Sequence, residues 1–406
     1  MKNKLLFLIP MTAIILCGCK NRTASTFELR EYDEYALYLK YHPEYKGSLS
    51  DYLSAKGVLR QQDTIAKSKI KNIIFVIGDG MSFGSIYGGE LYSNKKFEFT
   101  NWAKFVGNTN SLDEKTFRPT TTTDSAAAAT ALATGSLTVN GVVGRDKDQT
   151  DLETFFDVAK AKGQSLGVVT TDALSGATPA GFSAHAKNRG DAEDILTSQA
   201  TSKVDLFIGV YNGYYEEKAS VLENKGYTYK TNLDETALGD QKIVINNKDM
   251  TAFGGQNTLI QSTKYAVDYL SKNTKGFSLM IEQAYIDKYA HHHDFENNAK
   301  SMIELNNTID YLIDRFKNQD DTLIVVTADH DNGGLRVSEK TNLKNKITVD
   351  GREFSYNFKY QGHSQEYVPI YINKPVLDFE FLGVSNEEYV VKNSEIAKSI
   401  KALLNR

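Results

Sequence analysis

Two short runs of unbroken apolar residues mark the chain, Ile73-Ile74-Phe75-Val76-Ile77 and Leu323-Ile324-Val325-Val326. Runs this short, with no polar alternation, read as parallel strands buried on both faces. Strand-like segments also cover Gly167 to Thr171, Val204 to Val210 and Phe277 to Ile281. Between them the spacing turns helical. Acidic residues open a helix over Asp191 to Gln199. Thr263 to Leu270 is helical, and Asn297 to Phe316 is a long amphipathic helix. An alanine-rich run after Ser125 is a strong helix former and places that serine at or near a helix start. Repeated strand-helix units predict an α/β fold, a single large domain whose central, mostly parallel sheet carries helices on both faces. Residues 211–250 and 336–360 break the rhythm and are expected as small insertions. No internal repeat is present.

The first residues follow a different pattern. Lys2 and Lys4 precede the apolar stretch Leu5 to Leu16, which Pro10 interrupts and which is too short to span a bilayer. It runs into Leu16-Cys17-Gly18-Cys19, which resembles a bacterial lipobox. Residues 1–18 are therefore expected as a lipoprotein signal peptide, with Cys19 lipidated and the chain anchored at the periplasmic side of a membrane or on the cell surface. Cys17 and Cys19 are the only cysteines, so no internal disulfide is expected. Residues 19–68 read as a polar tether followed by a helical extension, with Tyr32, Tyr35, Tyr38 and Tyr41 at helical spacing. Residues 69–406 form the expected catalytic domain. The net charge is −4, and it becomes −6 without residues 1–18, which carry Lys2 and Lys4 and no acid. No long basic run is present, which argues against nucleic acid as a partner.

The chemistry lies at the ends of the strands. Ligands of open α/β sheets bind beyond the carboxyl ends of the strands. Asp79 follows the first apolar run, and Asp329 and His330 follow the second. Glu282 stands where the strand Phe277 to Ile281 ends. Asp287 and His291, four residues apart on a helix, share a face and can chelate one ion. His292 turns away toward solvent, whereas His293 is open to a substrate contact. Ser125, at a helix start, is where backbone N–H groups and the helix dipole favour an anion. A plain N-cap by Asp124 or Ser125 fits the same local sequence. Carboxylates and imidazoles gathered with a serine point to metal-assisted transfer through an activated hydroxyl.

Taken together and in order, these pieces resemble the alkaline phosphatases of the metal-dependent superfamily, from Lys71 to about Ile372. The resemblance implies an alkaline phosphatase-like fold and two zinc ions with one magnesium. It assigns Asp287, His291 and His363, in Gly362-His363-Ser364, to the first zinc. It assigns Asp79, Asp329 and His330 to the second, beside the nucleophile Ser125. It assigns Asp79, Thr178 and Glu282 to magnesium, and Arg189 to the phosphate, where a guanidinium fork suits two phosphoryl oxygens. Lys288 matches bacterial members that carry a lysine near the phosphate. The implied activity is hydrolysis of small phosphate monoesters through a phosphoserine, and a homodimer is an implied partner.

Two positions depart from the family pattern. Gly176 stands where a polar Asp or His is common near the magnesium, and Asn332 replaces a frequent His. Glycine at 176 is expected to leave Lys288 freer to reach phosphate and to weaken the third metal. The departures bear on magnesium affinity, pH optimum and turnover. A phosphodiesterase or sulfatase of the same superfamily is the nearest alternative. A sulfatase needs a Cys or Ser in a motif with Pro and Arg, whereas alanines follow Ser125. A non-catalytic lipoprotein that binds metal or phosphate has no need of both Ser125 and Arg189.

Overall fold

A computed structural model describes residues 69–406, apart from 234–241, 252, 254–257, 341 and 386–387. The signal peptide, Cys19, the tether and the helical extension lie outside the described residues. The strands, in chain order, are β1 (Asn72–Gly78), β2 (Ala103–Asn108), β3 (Ser165–Thr170), β4 (Leu206–Val210), β5 (Tyr227–Lys230), β6 (Lys242–Asn247), β7 (Phe277–Gln283) and β8 (Thr322–Thr327). They continue with β9 (Asp331–Asn332), β10 (Arg336–Ser338), β11 (Asn345–Val349), β12 (Arg352–Asn357), β13 (His363–Ser364), β14 (Val368–Ile372), β15 (Phe381–Ser385) and β16 (Glu388–Lys392).

One eleven-stranded sheet has the order β15-β16-β2-β14-β8-β1-β7-β3-β4-β6-β5. From β8 to β5 every neighbouring pair is parallel. β14 runs antiparallel between β8 and β2. The expected mostly parallel sheet is thus present. Alternation along β1 explains why its sequence is apolar throughout. Phe75 points to one face, where its ring packs on Phe155 and Phe182 at centroid distances of 5.9 and 5.6 Å. Ile74 and Val76 point to the other and join a cluster with Met302, Leu305 and Ile309 of the helix Phe295–Phe316. Both faces are covered by helices, so neither can tolerate polar side chains.

Two expectations are corrected here. Residues 211–250 are not an insertion, because Tyr227–Lys230 and Lys242–Asn247 extend the main sheet in parallel beyond β4. The strand expected from Val204 begins at Leu206, since the Val204 carbonyl turns aside to accept the Tyr227 hydroxyl at 2.7 Å. Residues 336–360 form a separate three-stranded sheet, β10-β12-β11. Phe354 and Phe358 of this segment pack with Ala290, Phe295 and Ala299, beneath the helix Tyr285–His291. The small sheet thus buttresses the helix that carries Asp287 and His291.

Candidate active site

Four adjacent central strands, β8, β1, β7 and β3, deliver acids at one rim. β1 ends at Gly78 and places Asp79 beyond it, while Asp329 and His330 follow β8 and are fully buried. Glu282 sits inside β7 rather than past its end, level with Ile77 and Thr170 of the flanking strands. After β1 the chain turns at Gly80 in the left-handed region, φ +66°, and a Cβ there would lie 2.7 Å from Asp287 Oδ1. Only glycine fits that turn and that approach. Its amide donates to Asp329 Oδ1 at 3.1 Å, which ties the ends of β1 and β8 together.

The candidate ligands form two groups. Asp287, His291 and His363 offer ligand atoms within 4.8 Å of one another, and so do Asp79, Asp329 and His330. His291 comes from the next turn after Asp287, with Nε2 at 3.3 Å from Asp287 Oδ2. His363 arrives through a two-residue ladder, in which β13 pairs antiparallel with β9 and sets His363 opposite Asn332. Its Nδ1 donates to the Thr123 carbonyl at 2.9 Å, which leaves Nε2 facing His291 Nε2 at 3.2 Å. The rings of His330 and His363 stack at 3.6 Å, so the two groups adjoin.

Ser125 is the first residue of the helix Ser125–Thr134, and Asp124 is its N-cap, with Oδ1 accepting from the Ala127 amide at 2.9 Å. The serine is therefore free of capping duty. Its Oγ lies 3.2 Å from His330 Nε2. Asp124 Oδ2 accepts from Arg189 Nη1 at 3.1 Å and from the Gly141 amide at 3.0 Å, and it holds the guanidinium near the helix start. Arg189 remains 41% exposed, with donors to spare for an incoming anion. Thr178 is buried in the helix Ala177–Ser183 and hydrogen-bonds Glu282, which also accepts from Thr170 Oγ1.

The electrostatics are those of crowded acid. Burial, followed by the charge of Asp172, pushes Glu282 up to about 8. Burial and Asp287 push Asp329 up to about 6. Asp79 is raised well above the carboxylate range by burial and then by Asp329 and Asp287. Burial pushes the His330 and His363 imidazoles down to about 4. Asp287 runs the other way. Burial opposes its charge, yet the hydrogen bond from His291 and the neighbouring His330 and His363 hold it well below the usual range.

Metal ions fit this arrangement. Asp79 Oδ1 and Asp329 Oδ2 are buried without a hydrogen-bond partner among the described residues, and they lie 3.5 and 3.3 Å from His330 Nε2. Buried polar atoms are ordinarily satisfied, so such orphans need an explanation. Carboxylate and imidazole triads with an open position suit catalytic zinc. The all-oxygen set of Asp79, Glu282 and Thr178 suits magnesium.

Three further contacts revise the sequence reading. His293 is tied to the Tyr360 carbonyl at 2.9 Å and stacked on Phe358, so it is occupied in the fold rather than turned to substrate. Asn332 donates to Asp287 Oδ1 at 2.6 Å and steers that carboxylate as a ring N–H would. Lys288 is not free beside Gly176, because its Nζ lies 2.6 Å from Asp172 Oδ1. Asp172 and the Asp124–Arg189 contact were missed in the sequence. Asp172 carried the same signal as Asp79, an acid just past an apolar strand.

The sheet is of the α/β type, and acids and imidazoles gather at one rim of it beside a serine. A family model for alkaline phosphatase matches residues 70–209 and 215–400, and the chain belongs to that family. It is 31% identical over 310 residues to alkaline phosphatase 4 of Bacillus subtilis, covering 70% of this chain and 65% of that one. It is 27% identical over 348 residues to the alkaline phosphatase of Escherichia coli K12, covering 69% and 74%. The match thus spans just under two thirds of the Bacillus relative. Among solved structures, the alkaline phosphatase of the Antarctic bacterium TAB5 superposes with a TM-score of 0.71 at 26% identity, covering 83% of this chain and 98% of that one.

Proposed function

We propose that the protein hydrolyses phosphate monoesters to an alcohol and inorganic phosphate through a phosphoserine at Ser125. One observation carries this reading. Ser125 Oγ stands at a helix N-terminus, 3.2 Å from His330 Nε2, where the two ligand groups adjoin. Asp287, His291 and His363 would hold one zinc, Asp79, Asp329 and His330 the second, and Asp79, Thr178 and Glu282 a magnesium. A His-to-Glu variant of the TAB5 enzyme carries magnesium in its M3 site, which supports a third metal position of this kind. When bound, the ions supply positive charge to the phosphoryl oxygens and lower the pKa of the attacking hydroxyl.

The chain's own residues do the rest. The free N–H groups and dipole of the helix Ser125–Thr134 receive the phosphate. Arg189, aimed by Asp124, takes two of its oxygens through the guanidinium fork. Ser125 Oγ gives up its proton to solvent and bonds to phosphorus as the bond from phosphorus to the ester oxygen breaks on the opposite side, and that oxygen takes up a proton from solvent and leaves as the alcohol. Water attacks the phosphoserine from the side the alcohol vacated, which frees Ser125 and releases phosphate. The test is a panel of an aryl phosphate monoester, a diester and a sulfate ester, with metal-loaded protein and Ser125→Ala as control. Turnover of the diester or sulfate that matches the monoester would overturn the reading.

Arg189 supplies the second prediction. Arg189→Ala is expected to weaken inorganic phosphate binding about 10- to 100-fold, because hydrogen bonds to a charged group are worth about 1.5–3 kcal/mol. Arg189→Lys keeps the charge and loses the fork, and it should recover only part. Competitive inhibition by phosphate reads both.

We also propose that residues 1–18 are removed and that Cys19 is lipidated, which anchors the enzyme at the periplasmic side or cell surface. Cys19→Ala should leave the membrane fraction or stay unprocessed. A variant that fractionates and processes like the wild type would refute the anchor.

A further inference from the structure

Lys288 follows Asp287 directly, and its ammonium lies 2.6 Å from Asp172 Oδ1 and 4.6 Å above the ring of Tyr285. Asp172 is itself held firmly. Its amide donates to Thr170 Oγ1 at 2.8 Å, and its carbonyl accepts from the Val210 amide at 2.8 Å. The second carboxylate oxygen turns toward the start of the helix Ala177–Ser183. There it lies 2.7 Å from where a Cβ on Gly176 would stand, and the Ala173 carbonyl lies 3.0 Å from the same point. Gly176 has φ −54° and ψ 151°, a conformation open to any residue. Its φ and ψ therefore do not require glycine. A side chain there would collide with the Asp172 carboxylate. That carboxylate also acts on Glu282, where it is the largest charge effect after burial.

We propose that Asp172 is the positioning residue of the third metal site and of Lys288, doing from the end of β3 what a polar side chain at 176 would do from the helix. The inference rests on the function proposed above. One carboxylate oxygen holds the lysine beside the phosphate site and offsets its charge. The other lies at the start of the helix that carries Thr178, where it can accept hydrogen bonds from water around a magnesium ion. Two residues thus share one piece of space. Either Asp172 with Gly176 or a small residue at 172 with an acid at 176 fills it, and both together overfill it.

The test uses full-length, zinc-loaded protein and three variants. Magnesium is titrated against melting temperature, which needs no turnover, and inorganic phosphate binding is measured by calorimetry. Asp172→Asn keeps the shape and removes the charge. It is expected to raise the magnesium midpoint about 10-fold, in line with lost support around a metal ligand, and to tighten phosphate severalfold through the unpaired Lys288. Asp172→Gly alone should match it in magnesium midpoint, and adding Gly176→Asp to that variant should bring the midpoint back toward the wild type. The two changes would then be strongly non-additive, as expected of groups that share one space. An Asp172→Asn protein with unchanged magnesium midpoint and unchanged phosphate affinity would overturn the proposal. So would a folded double variant no better than Asp172→Gly. If the double variant does not fold, Asp172→Asn alone decides. A wild-type protein inactive on monoesters, with the magnesium shift intact, would refute the proposed activity and leave the role of Asp172 standing.

Discussion

Ser125→Ala is expected to lose nearly all phosphatase activity, on the order of 10⁴-fold or more, as enzymes do when a covalent nucleophile is removed. The fold should hardly notice. Ser125 is 4% exposed, and among the described residues its hydroxyl makes one side-chain hydrogen bond, with His330 Nε2. Loss of one such hydrogen bond costs about 0.5–1.5 kcal/mol. The helix start survives, because the cap is Asp124 and its bond to the Ala127 amide is untouched. Arg189 also keeps its contact with Asp124. The variant should therefore bind metal and inorganic phosphate and melt close to the wild type. That separation is the point of the experiment, since a purely structural serine would move melting and activity together. Acid trapping of the wild type with substrate should give a phosphorylated residue that maps to Ser125. Phosphate on any other residue would sink the assignment.

The parts of the site that were legible in the sequence share a physical cause. A parallel strand covered on both faces must be apolar along its whole length, so β1 and β8 write themselves as unbroken runs, and Asp79 and Asp329 stand out where the runs stop. Asp287 and His291 were legible because helix periodicity puts them on one face. The strands β5 and β6 were not, since they lie at the end of the sheet, and Lys230 and Lys242 break the apolar pattern. No local pattern points to His363. It reaches the site through the pairing of β13 with β9, a contact of long sequence separation, and it was placed only by likeness to a known family. The same holds for Thr178 and Arg189. The ion pair of Asp172 with Lys288 depends on how the end of β3 meets the helix Tyr285–His291, and the expectation of a free lysine failed because it considered position 176 alone.

Metal removal should have the second large effect, and its size should grow with pH. Asp79, Glu282, Asp287 and Asp329 are buried together, and residues 69–406 contain no cysteine that might brace the fold. An ion held at 100 times its Kd adds about 2.7 kcal/mol. Stripping two or three with a chelator should lower the melting temperature by on the order of 10 °C. Glu282 and Asp329, pushed up to about 8 and about 6, leave ordinary unfolded values of about 4. The metal-free fold then binds more protons than the unfolded chain, and this contribution is lost as pH rises through the folded values. His330 and His363 act in reverse. They are pushed down to about 4 from about 6.5, and their contribution rises with pH between those limits. The opposing trends overlap at acid pH. Above about 6.5 the imidazoles have finished, while Glu282 still loses its proton. The metal-free protein should therefore lose stability from about pH 6.5 to about pH 8, whereas the metal-loaded protein, its carboxylates already neutralised, should change little. Melting curves of both forms across that window give the gap between them. A gap that stays constant or narrows as pH rises would mean that these carboxylates do not share the ions.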